Sequence, residues 1–142
     1  MLKILVVDDD AANCLLLRAH LENYGKSEIA DNGEEALEAV KHSLDIGEPY
    51  DLICLDIMMP MMDGNETLRN IRDMEEDAKN SGISQSPSKI IMTTALGDIK
   101  TVFESYDNLC DAYLQKPIKK AALLKALVEL KLIHNANKPQ TK

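Results

Sequence analysis

The sequence predicts a doubly wound α/β fold, a five-stranded parallel sheet with helices packed on it, and three observations predict it. Short continuous apolar runs recur, such as Ile4-Leu-Val-Val7 and Leu52-Ile-Cys-Leu55, as strands buried on both faces require. Segments with apolar residues at helical spacing alternate with these runs. Alternating strands and helices need crossover connections, hence a parallel sheet, and right-handed crossovers leave few topologies. A chain of 142 residues is one domain, large enough to bury about 68% of its unfolded surface.

Lys3 to Val7 is the first strand, ended by Asp8-Asp9-Asp10. Ala11 to Tyr24 is a helix carrying Leu15, Leu16, Leu17, Ala19 and Leu21 and stopped by Gly25. Asp10 is placed to cap it by accepting from the first free backbone N–H groups. Ser27 to Ala30 is a short strand and Asp31-Asn32-Gly33 a turn. Glu34 to His42 is a second helix, with Ala36, Leu37 and Val40 on one face. Glu34 and Glu35 lie in its first turn, where the helix dipole favours negative charge. Ser43 to Tyr50 is a loop. The third strand begins at Leu52 and ends at Asp56; Pro60 and Asp63-Gly64 stop regular pairing beyond it.

Thr67 to Met74, with Leu68 and Ile71 on one face, is a third helix; polar Glu75 to Ser88 is a helix tail and a loop. Lys89 to Thr93 is the fourth strand, with Thr94 and Ala95 at its end. Ile99 to Tyr106 is helical, with Asp98 as its cap. Ala112 to Gln115 is the fifth strand, ended by Lys116-Pro117. Lys120 to Ile133 is an amphipathic helix built on Leu123, Leu124, Leu127, Leu130 and Ile133. Residues 1–134 thus form one unit, and residues 135–142 are a polar tail or linker.

Composition narrows the function. A net charge of −8 argues against nucleic acid and against an anionic membrane surface as partners. No 18-residue apolar run exists to span a membrane, and the start MLKILVVDDD turns acidic too soon for a signal peptide. Cys14, Cys54 and Cys110 are odd in number and lack C-x-x-C spacing. They read as small core residues in a reduced, cytoplasmic compartment.

The polar residues then fall into a pattern. Asp8 and Asp9 follow strand one, Asp56 ends strand three, Thr94 ends strand four and Lys116 follows strand five. All lie on the carboxyl edge of the sheet, where open α/β sheets bind ligands. In the flavodoxin-like order 2-1-3-4-5, strands one and three are neighbours, so Asp8, Asp9 and Asp56 converge. At an effective dielectric near 20, two carboxylates about 5 Å apart repel by roughly 3 kcal/mol, and three such pairs by about 10 kcal/mol. A hard divalent cation relieves this, and Mg²⁺ suits a site of few carboxylates, several waters and a phosphate. Lys116 is expected at the opposite rim as a fixed positive charge. Singly, each residue has a bland explanation as a cap or a turn; five at successive strand ends do not.

These residues carry a resemblance. Leu5-Val-Val-Asp-Asp9, Leu55-Asp-Ile-Met-Met-Pro-Met-Met-Asp-Gly64, Thr94-Ala95 and Tyr113-Leu-Gln-Lys-Pro117 resemble the response-regulator receiver domain of bacterial two-component signalling, from Lys3 to about Ile133. The resemblance implies that Asp56 is the phosphoacceptor and that Asp9, Asp8, Asp56 and the Met58 main-chain carbonyl hold Mg²⁺, with Mn²⁺ as a substitute. It implies that Lys116, Thr94 and Ala95 bind the phosphoryl group. Tyr113 is then the aromatic switch residue, and Lys116-Pro117 a cis peptide. The implied partners are a histidine kinase or phosphotransfer protein, an output partner that the sequence does not name, and a homodimer formed on phosphorylation. Met58 and Leu96 are apolar where rapidly dephosphorylating relatives carry polar residues, so both are expected to lengthen the phosphorylated state.

Two other classes compete. An aspartate-nucleophile phosphatase needs a second carboxylate two residues after the nucleophile, where this chain has Met58. A receiver-like scaffold that is never phosphorylated predicts no Mg²⁺-dependent labelling. No G-x-x-x-x-G-K-S/T run is present for a P-loop nucleotidase. The domain is expected to promote only its own phosphorylation and dephosphorylation, and so is not an enzyme in the usual sense.

Overall fold

The computed structural model describes residues 1–82, 86–95 and 109–134. Their elements are β1 (Leu2–Val7), α1 (Ala11–Leu21), β2 (Gly25–Ala30), α2 (Gly33–Asp45), β3 (Leu52–Asp56), α3 (Gly64–Asn80), β4 (Lys89–Thr94), β5 (Ala112–Gln115) and α4 (Lys120–Glu129). All neighbouring strands are parallel, in the order β2-β1-β3-β4-β5. The expected helix over residues 99–106 and the tail 135–142 lie outside the described residues.

Alternation along the central strands explains their continuous apolar runs. Leu5, Val7, Ile53, Leu55, Ile90 and Met92 pack with Ala36, Val40 and Leu44 of α2 and Leu68, Ile71 and Ala78 of α3. Ile4, Val6, Leu52, Cys54 and Ile91 point the other way, toward Cys14, Leu17 and Leu21 of α1 and Leu123, Leu124 and Leu127 of α4. With a core on each face, successive residues of a strand must both be apolar.

The element boundaries depart from the sequence reading in instructive ways. The third helix starts at Gly64 rather than Thr67, and its expected tail beyond Met74 reaches Asn80. Asp63 is its cap, accepting from the Glu66 N–H at 2.9 Å, so Asp63-Gly64 starts a helix rather than merely a turn. Its polar second half stays helical because Met74 and Ala78 continue the stripe of Leu68 and Ile71 onto the core. Asn32 likewise caps α2, accepting from Glu35 at 2.9 Å, and draws Gly33 into that helix. α1 stops at Leu21, and β2 begins at Gly25, where a Cβ would lie 2.3 Å from the Leu2 carbonyl oxygen.

The last helix ends at Glu129 instead of Ile133. Lys131 takes a left-handed φ of 64°. Its N–H donates to Val128 at 3.0 Å, and that of Leu132 to Leu127 at 2.9 Å, the two bonds of a Schellman motif. Glycine is the residue suited to that position. Lys131→Gly is therefore expected to stabilise the chain by about 0.5–1 kcal/mol, the relief of left-handed strain less the extra freedom of glycine when unfolded. Urea unfolding measures it, and a less stable variant would contradict this account.

One cluster ties the amino ends of β4 and β5 to α3. Arg72 donates to the carbonyls of Leu109 (2.8 Å) and Ser88 (3.0 Å) and to the carboxylates of Glu75 (2.6 Å) and Asp111 (3.2 Å). Glu75 in turn accepts from the Ser88 N–H, and Asp111 from the Ile90 N–H, each at 2.8 Å. The polar stretch from Glu75 is thus partly structural.

Candidate functional site

The site is made at the opposite ends of the same strands. Asp8 follows β1 and is 1% exposed; Asp56 ends β3 and is 3% exposed. Asp9, next to Asp8, faces solvent. One carboxylate oxygen from each of the three lies within 4.8 Å of the others. Register brings them together, since β1 and β3 pair from Ile4↔Leu52 to Val7↔Leu55. Gly64 lets α3 start against this edge: its N–H donates to Ile57 O at 2.8 Å, and a Cβ there would sit 2.2 Å from the Asp56 carbonyl oxygen.

Lys116 is not at an opposite rim. Its Nζ lies 3.0 Å from Asp8 Oδ2 and 3.1 Å from Asp56 Oδ1, between the two buried carboxylates. β5 sets its position, because the Lys116 N–H donates to the Thr94 carbonyl at 2.7 Å. The three-way repulsion expected from sequence is therefore reduced twice, by the inserted ammonium and by the solvent around Asp9. Burial, then the Asp8 charge, push the Asp56 carboxyl from 3.8 up to about 6; Lys116 and the Met58 N–H pull the other way. Burial also works against the Lys116 ammonium. Its bonds to Asp8 and Asp56 outweigh that and hold its pKa above the ordinary lysine value.

The other expected residues are placed as follows. Thr94 is buried at the end of β4, its hydroxyl 3.4 Å from the Ala95 carbonyl, and Ala95 is exposed. Tyr113 is half-buried against the α2–α3 side of the core, with its hydroxyl oxygen buried. Met58 is 64% exposed. The Lys116-Pro117 bond is cis. Leu96 lies outside the described residues. Cys14 and Cys54 are buried, and burial pushes their thiols up to about 11 and about 12, which fits small core residues; Cys110 is only half-buried.

Sequence reasoning missed Asn13. From the first turns of α1 its Nδ2 donates to Asp8 Oδ2. The signal was a polar residue five positions after Asp8, among residues read only for apolar spacing.

The donors fit a hard divalent ion: three carboxylates and no imidazole, with the exposed Asp9 on the solvent side. Such a pocket, with a lysine bridging two of its buried acids, is built to hold a divalent cation beside an anionic group. A family model of the response regulator receiver domain matches residues 4–128, and the chain belongs to that family. It is 33% identical over 128 residues to the sensor histidine kinase GacS of Pseudomonas protegens, covering 89% of this chain and 13% of that protein. It is 39% identical over 117 residues to the transcriptional regulatory protein ResD of Bacillus subtilis, covering 81% and 42%. The chain thus spans less than half the length of either relative. Among solved structures, the receiver domain of a sensor histidine kinase from Pseudomonas aeruginosa, with a magnesium ion coordinated in its active-site cleft, superposes with a TM-score of 0.71 at 25% identity, over 90% of this chain and 95% of that one. The acidic triad is suited to Mg²⁺, and receivers of two-component systems interact with histidine kinases. Among the described residues, no helix is long and apolar enough to cross a membrane.

Proposed function

We propose that this chain is a phosphorylation-dependent signalling switch whose phosphoacceptor is Asp56, served by the phosphohistidine of a kinase or phosphotransfer protein. The observation that carries this is the pairing of a 3% exposed Asp56 with Lys116 at 3.1 Å, beside the oxygens of Asp8 and Asp9. An ionised Asp56 oxygen forms the new P–O bond as the donor's P–N bond breaks, and the electron pair of that bond stays on the imidazole. Lys116 holds a positive charge where the phosphoryl oxygens gather negative charge. Asp8, Asp9, Asp56 and the Met58 carbonyl would hold Mg²⁺, which when bound neutralises phosphoryl charge.

Modification takes Asp56 from one negative charge to about two. Thr94 and Lys116 then have new acceptor oxygens to bond, and Tyr113, two strand positions before Gln115, relays the change to a surface. The exposed thioether of Met58 is a weak acceptor and a poor guide for an attacking water, which favours a long-lived phosphorylated state. Residues 1–134 form the receiver unit, which passes its state to an output partner or a second copy of itself.

Incubation with Mg²⁺ and acetyl phosphate is expected to add one phosphoryl group to wild type and none to Asp56→Asn, read by intact mass. Equal labelling of the two would overturn the assignment, and no labelling of wild type by any phosphohistidine donor would favour the scaffold.

A further inference from the structure

We infer that Asn13 is a positioning residue of the acidic site: its side-chain amide sets how Asp8 presents its carboxylate to a divalent cation. The inference deepens the phosphoacceptor reading and rests on it.

Asp8 is nearly fully committed. Its Oδ1 accepts the Asp10 N–H at 2.9 Å, closing an Asx turn. Its Oδ2 takes both the Asn13 amide and, at 3.0 Å, the Lys116 ammonium. An ionised carboxylate offers about four lone-pair sites. Three are used among the described residues, so one, on Oδ1, remains for a cation. The same turn of α1 also grips the main chain, since Cys14 Sγ donates to the Asp8 carbonyl at 3.4 Å. Asp8 is thus held from one turn of helix at both its main chain and its side chain.

Of the three donors to this carboxylate among the described residues, Asn13 is the one neutral side chain, and Asp8 is the partner of its amide. The backbone N–H of Asp10 cannot steer the second oxygen, and Lys116 divides itself between Asp8 and Asp56. Removing the amide frees the carboxylate to rotate toward the lysine. A neutral donor also preserves the charge of the site. Three carboxylates and one ammonium leave two negative charges, the match for a divalent cation, and a basic residue at position 13 would cancel one of them. Partners of this kind, which orient a ligand group without touching the metal, commonly change affinity by about 10–100-fold when removed.

The test is calorimetric titration of MgCl₂ into the folded 142-residue chain at pH 7.5, for wild type, Asn13→Leu, Asn13→Gln and Asp9→Asn. Asn13→Leu keeps the branched shape and loses the donor, so its Kd for Mg²⁺ is expected to rise at least ten-fold. Asn13→Gln keeps an amide and is expected to recover most of that loss, which repair of packing alone would not do. Affinity of Asn13→Leu equal to wild type, or a loss that Asn13→Gln does not repair, overturns the inference. Asp9→Asn separates the two levels. If it weakens binding while Asn13→Leu does not, the acidic site stands and only the role of Asn13 falls; if neither wild type nor any variant binds Mg²⁺, both fall together.

Discussion

Lys116→Met is expected to destabilise the metal-free chain by about 3 kcal/mol at pH 8, the lower end of the range for removing one partner of a buried ion pair. The lower end applies because the Lys116 side chain is 25% exposed, so solvent already screens part of its interaction. The variant leaves Asp8 and Asp56, both nearly inaccessible, without the ammonium that lies 3.0 and 3.1 Å from them. The loss should shrink at pH 5. Burial already raises the Asp56 pKa to about 6, and without Lys116 it rises further, so at pH 5 the group is neutral and needs no cation. Adding Asp56→Asn to Lys116→Met should recover much of the loss at pH 8 for the same reason. Urea unfolding at the two pH values measures this. A loss of equal size at both would assign Lys116 to packing and not to charge.

Without Mg²⁺, the contribution of Asp56 to stability is expected to fall as pH rises from about 4 to above 6. Its folded pKa of about 6 lies above the ordinary 3.8, so the folded chain binds the proton more tightly than the unfolded chain. Stability from that proton is complete below about pH 4 and lost through pH 6, a span corresponding to about 3 kcal/mol. Other carboxylates titrate in the same window, so the quantity to follow is wild type minus Asp56→Asn. With Mg²⁺ present the fall should flatten, and reverse once Mg²⁺ exceeds its Kd by more than about 150-fold, because the ion binds the ionised form: its stabilising effect grows through pH 6 and fades below it. Phosphoryl labelling should fade over the same range, since attack needs an ionised oxygen. A difference curve that is flat or rising between pH 4 and 6.5 without Mg²⁺ would contradict the burial account.

The strand positions were legible because they depend on local pattern. Four apolar residues in a row, twice buried, leave few alternatives, and Ala112–Gln115 is where the run and the following Lys-Pro place it. The convergence of Asp8, Asp9 and Asp56 was legible too, since strand order alone brings successive carboxyl ends to one edge. What the chain order does not encode is where a long side chain lands within that edge. Lys116 could reach across the site or insert into it, and packing around β5 selects insertion. Asn13 was hidden for a related reason: its partner is five residues away, across a loop whose geometry follows from the Asp8–Asp10 turn. A helix tail beyond Met74 was legible, but where it ends was not. The α3 stripe is carried past Met74 by Ala78, too small an apolar residue to stand out among Glu75, Glu76, Asp77 and Lys79.

The Arg72 cluster bears on how strain can travel through the sheet. Three of its four hydrogen bonds fasten α3 to Ser88 before β4 and to Leu109 and Asp111 before β5. Sliding either strand along its neighbour would break several charge-assisted bonds at that end at once. Shear is therefore the stiff mode of this half of the molecule. A new charge at Asp56, if it is the phosphoacceptor as proposed, would act on the far ends of β3, β4 and β5, six residues or fewer along each strand. The compliant response there is rotation of side chains, with this half of the sheet clamped at its opposite end by Arg72.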